Sequence, residues 1–107
     1  MEIIKLANLA YRETPWGVKG RLVLELPDVA IMNLILEPGE KVPPHKTPVD
    51  VLFQVIEGKG TVEIGEERQE AESGDIVISP AKIPHALEAN LGEVFSVLVY
   101  KVPNPKK

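Results

Sequence analysis

A chain of 107 residues, 44% hydrophobic and 26% charged, has room for one domain with one core. Its 16 acidic against 12 basic side chains, a net charge of −4, argue against nucleic acid and an anionic membrane surface as partners. No cysteine is present, no apolar run approaches the ~20 residues that cross a bilayer, and Met1–Leu6 lacks a signal-peptide core, so the expected address is the cytoplasm.

No stretch has a helical period of useful length. Short β-rich runs between glycine, proline and charged turns predict an all-β sandwich or barrel. Ile3–Leu6 reads as a first strand, followed by a loop through Thr14-Pro15-Trp16-Gly17. The only tryptophan lies in that loop, where it either fills the core or caps one end of a barrel. Arg21–Leu26 is a strand broken by Pro27-Asp28, and Val29–Leu36 is a buried strand ending at the turn Glu37-Pro38-Gly39. Val49–Ile56 and Thr61–Ile64 flank Glu57-Gly58-Lys59-Gly60 as a hairpin. Further turns at Gly65 and Gly74 deliver strands at Arg68–Glu72 and Ile76–Ser79, and His85–Ala89 follows Pro84. A turn at Asn90-Leu91-Gly92 leads to the last strand, Glu93–Val102. That makes about eight or nine strands in a single domain over residues 1–107, with no linker.

Three further expectations follow from composition and pattern. The glutamates at 63, 66, 67, 70 and 72 form a solvated edge that discourages edge-to-edge aggregation. Val49–Ile56 and Val94–Val99 are apolar on both faces and need cover on both, which predicts a homodimer. Ten prolines, no cysteine and few amides suit a heat-stable protein.

The only two histidines end two similar glycine-opened segments, residues 39–60 and 74–90. Gly39 is followed after five residues by His45-Lys46-Thr47, with Gly58 further on, and Gly74 after five residues by Pro80-Ala81-Lys82 and then His85. These segments resemble the two sequence motifs of the cupin superfamily. The resemblance implies a double-stranded β-helix, or jelly-roll barrel, with a pocket that in cupins often holds a divalent metal on three histidines and a glutamate. His45 and His85 occupy two of those four ligand positions. The second histidine of the first motif is Thr47 here, and the glutamate falls on Val51. Lys82 stands where the second motif has a glycine, and Asn90 comes one place later than the motif's asparagine.

Two converging imidazoles can begin a site for iron, manganese, zinc or nickel, but need a carboxylate to supply charge. Asp50 is the nearest candidate. In a regular strand His45, Thr47 and Val51 share one face and Asp50 the other, so Asp50 reaches the pocket only if the chain bulges near Pro48. Val51, Phe53, Val55 and Leu87 are the expected apolar lining, with Thr47 offering a hydroxyl to a small organic ligand. Lys46 and Lys82 are candidates to attract an anion. No serine lies in a glycine-rich elbow, and Gly58-Lys59-Gly60 lacks the rest of a P-loop. The readings are a metal-binding protein, extending to an oxygenase, isomerase or decarboxylase of a small acid, a metal-free binding or sensing module, and a metal-free enzyme with one histidine as its base.

Overall fold

The structure, a computed structural model, describes residues 1–106. Its ten strands are β1 Arg12–Glu13, β2 Lys19–Leu26, β3 Val29–Leu36, β4 Lys41–His45, β5 Asp50–Glu57, β6 Lys59–Ile64, β7 Glu67–Glu72, β8 Ile76–Ser79, β9 His85–Ala89 and β10 Phe95–Val102. They form two antiparallel sheets, six-stranded in the order β1-β2-β3-β10-β5-β8 and four-stranded in the order β4-β9-β6-β7. This is the expected all-β, double-stranded β-helix.

Period-two alternation explains the core. In β5, Val51, Phe53 and Val55 are buried while Asp50, Leu52 and Gln54 face the other way. In β10, Phe95, Val97 and Val99 take the inward positions. From the other sheet, Val42, Val62, Ala71, Leu87 and Ala89 meet them in one apolar cluster. Each large side chain so buried contributes about 1.5–3 kcal/mol. The expected hairpin at Glu57–Gly60 is instead a crossing between the sheets, since β5 pairs with β10 and β8 and β6 with β7 and β9. Gly58 and Gly60 let this crossing lie against the start of β10: a Cβ on Gly58 would come within 1.8 Å of the Val94 carbonyl, and one on Gly60 within 2.5 Å of the Phe95 ring. The buried amide of Asn33 is fully engaged, donating to Ser96 Oγ and the Val97 carbonyl and accepting from Arg21.

At the start of the chain an expectation is corrected, and two strands, β1 and β4, are added. Ile3–Leu6 is not a strand; Ile3 is exposed, and a 3-10 turn at Leu6–Asn8 follows, its carbonyls capped by the Arg21 guanidinium. The pair β1–β2 closes the loop that carries Trp16. β4, unassigned in the sequence, is a strand despite Pro43 and Pro44, because its register shifts there and the missing N–H groups fall at the irregularity.

Candidate functional site

That shift sets the site. Lys41 pairs with Glu88 and Val42 with Leu87; a regular count would then bring His85 opposite Pro44. The bulge at Pro43-Pro44 adds one residue, so His45 pairs with His85 instead. The imidazoles meet edge to face, with centroids 4.5 Å apart and Nε2 to Nε2 3.1 Å. The Trp16 ring packs over His45 at 4.7 Å, and Phe53 meets His85 edge-on at 5.1 Å. Trp16 therefore caps the barrel end over the histidines.

The partners fix the neutral tautomers. A carbonyl oxygen only accepts, so His45 Nδ1–H donates to Pro43 at 3.1 Å and leaves its Nε2 lone pair free. His85 Nε2–H donates to that lone pair, with Thr47 Oγ1 3.3 Å away sharing the proton. His85 Nδ1 then accepts from the Ser79 hydroxyl at 2.8 Å. Ser79, on the last position of β8, is fully buried, and His85 is only 3% exposed. Burial, then the neighbouring His45 and Lys101 charges, lower the His85 pKa to about 4, so the ring is neutral at physiological pH.

Around the pair lies a cavity of about 20 Å³, lined by Trp16, Thr47, Val51, Phe53, Leu87 and Lys101 among others. That is room for about one water molecule. It adjoins an outer cavity of about 570 Å³, with Trp16, Met32, Val99 and Lys101 common to both. The outer volume is in the range that accepts a small organic molecule. A wider cleft of about 760 Å³ runs between the β7 and β8 edges. Its rim carries Glu66, Glu67 and Glu70 and it contains no histidine, consistent with a solvated acidic edge.

Residues 32–101 match the model of the cupin domain. The chain belongs to the cupin family. Solved cupin-like structures superpose over nearly its whole length: KdgF from Halomonas sp. with a TM-score of 0.85 at 17% identity, covering 99% of this chain and 97% of that one. TT1209 from Thermus thermophilus gives 0.85 at 27% identity, with 98% and 100% covered. The polyketide cyclase RemF from Streptomyces resistomycificus gives 0.86 at 16% identity, with 97% and 80% covered. None of the curated proteins matches the chain.

The metal that this cupin's family implies can be tested against the donors present. Two imidazole nitrogens 3.1 Å apart suit adjacent ligands of an ion at about 2.0–2.1 Å. The charge does not suit it. Asp50 is exposed and lines neither cavity; its Oδ1 accepts from the Ala81 N–H at 2.8 Å, tying the β8–β9 turn to β5. No bulge near Pro48 turns it inward, and β5 keeps its alternation from Asp50 onward. Among the described residues no three His, Cys, Asp or Glu side chains gather to hold an ion. Val51 fills the family's glutamate position, and the cationic Lys101 is its register partner across β5 and β10. Two neutral nitrogens and a hydroxyl facing an ammonium do not fit a divalent ion.

His45, His85, Thr47, Val51, Phe53 and Leu87 line one cavity, and Val55, Asp50, Lys46 and Lys82 do not. Two site residues went unforeseen in the sequence: Ser79, six residues before His85, and Lys101. The signal for Lys101 was present, since it continues the inward series Phe95, Val97, Val99.

Proposed function

We propose that this cupin is a small-molecule-binding module in which the His45–His85 pair grips the ligand directly, without a divalent ion. The observation that carries this is an imidazole pair under Trp16 with no carboxylate gathered beside it among the described residues. When a ligand opens the 3.1 Å bond between the rings, the neutral pair presents one donor, His85 Nε2–H, and one acceptor, His45 Nε2, side by side. A ligand group that both accepts and donates, such as a hydroxyl or a protonated acid, satisfies both at once. The ligand body occupies the outer cavity against Trp16, Met32 and Val99. A metal-dependent oxygenase or isomerase would need a carboxylate that the pocket does not supply.

The test is metal content of untagged protein after incubation with iron, manganese, zinc and nickel, beside His45→Ala and His85→Ala. Far less than one equivalent in all three, together with fragments that shift the His45 and His85 imidazole resonances in EDTA, supports the reading. Near-stoichiometric metal lost in both variants overturns it.

The outer face of the six-stranded sheet supports a homodimer. Leu24, Ile31, Tyr100, Leu52 and Ile78 are register partners in turn, forming one apolar row across five strands. Ile76 and Ile78 on the β8 edge are 62% and 66% exposed. A second copy covering this row removes it from water. Light scattering is expected to give twice the chain mass, falling to the chain mass in Ile78→Glu.

A further inference from the structure

Resting on the reading of the double cavity as a ligand site, we propose that Lys101 is its anion-recognising residue and that the ligand is a small organic carboxylate. Three independent features lead there. First, Lys101 sits on the inward face of β10, next in alternation after Phe95, Val97 and Val99, opposite Val51 on β5 and Ala30 on β3. An inward lysine at the end of a barrel strand places its ammonium on the route to the core.

Second, its side chain lines the histidine cavity and the outer cavity alike, so a molecule in the outer space reaching the imidazoles passes Lys101. Third, Lys101 has no carboxylate partner among the described residues. Glu25, which lines the same outer cavity, is engaged by Lys106 at 3.9 Å. A half-buried ammonium without a counter-charge is held at a cost that an incoming anion relieves. Burial and the nearby Lys106 charge also lower its pKa, the direction expected of an ammonium lacking an anion.

The surrounding charge agrees. The outer cavity is lined by Arg12, Arg21, Lys101 and Lys106 against Glu13 and Glu25. Arg21 is already committed to Asn33 and to the Leu6 carbonyl. The ligand then lies with its carboxylate on Lys101, its apolar body between Trp16 and Met32, and a polar group toward the imidazoles.

The experiment uses the whole chain and nuclear magnetic resonance, reading the Trp16 indole and the two imidazoles. Benzoate and succinate are titrated beside their neutral amides, benzamide and succinamide, into wild type, Lys101→Met, Lys101→Arg and, as a control outside both cavities, Lys46→Met. At least one acid is expected to shift these signals saturably and to bind about tenfold or more tighter than its amide. Lys101→Met abolishes that preference, whereas Lys101→Arg and Lys46→Met retain it. Equal binding of acid by wild type and Lys101→Met, or loss in Lys46→Met alone, overturns the proposal. Amides that bind at the imidazoles as well as the acids do would also sink it, while leaving the binding-module reading intact. If no acid or amide moves the imidazole signals, the carboxylate proposal falls and so does its premise. A melting curve of each variant separates loss of binding from loss of fold.

Discussion

The two histidine segments share a grammar and differ in depth. Both place a histidine after a proline, and the two rings touch. Yet His85 is buried against Ser79 and Phe53 with both nitrogens engaged, whereas His45 lies half-exposed under Trp16 and is held by a carbonyl two residues earlier. The second segment has kept its histidine inside a complete hydrogen-bonded setting. In the first, Thr47 and Val51 stand at the two other ligand positions that the cupin motif implies, and neither offers a charge. One segment supplies a fixed neutral donor and the other an accessible acceptor. Sequence position made them look equivalent, and burial makes them unequal.

The strongest way to break this contrast is to return the family's donors to the first segment. Thr47→His with Val51→Glu supplies a third imidazole and an anion, and is expected to raise zinc affinity by several orders of magnitude. Adding Lys101→Met, which removes the opposing charge, raises it again. Competition against a chelator measures both steps.

Acid is the next largest probe, and it acts on His85. Unfolded, that ring takes a proton below about 6.5; folded, it does so only below about 4. The unfolded state therefore binds more protons between these values, and stability falls as pH drops through them. The loss from this group approaches roughly 3 kcal/mol at full effect. Urea unfolding at pH 7 and at pH 4.5 is expected to show most of it in wild type, and His85→Gln removes that part of the slope.

Smaller effects separate the supports. Ser79→Ala leaves the buried Nδ1 without its donor and is expected to cost about 1–3 kcal/mol. His45→Ala, at a half-exposed site, costs about 1 kcal/mol or less. Lys82 holds a φ of 69° in the turn before His85, at the motif's glycine position. Lys82→Gly is expected to stabilise by about 0.5–1 kcal/mol, measured by the same unfolding.

Much of the barrel was legible because its strands are apolar-rich runs bounded by glycine and proline turns: β3, β8 and β9 fall where the sequence placed them. β4 was hidden because its identity lies in pairing with β9, while its composition, with two adjacent prolines, speaks for a turn. Ile3–Leu6 misled for the opposite reason, since it has strand composition and no neighbouring strand. In the site, the histidines were legible from spacing. The carboxylate at Asp50 was not, since strand parity prevails over nearness in sequence: Asp50 faces out and Val51 faces in. Ser79 and Lys101 meet the pair only through folding, from β8 and β10.

The place of β10 has a consequence for the chain during synthesis. It lies between β3 and β5, yet is the last of the ten strands to be synthesised. Until residues 95–102 emerge, the six-stranded sheet exists only as two fragments, each with an unpaired inner edge. Translation can finish the smaller sheet first, since β4, β6, β7 and β9 all precede residue 90. The larger one must wait for non-local closure, which is slow. The nascent barrel therefore spends its vulnerable interval open along the line where β10 inserts, and the same insertion that seals it carries Lys101 to the cavity.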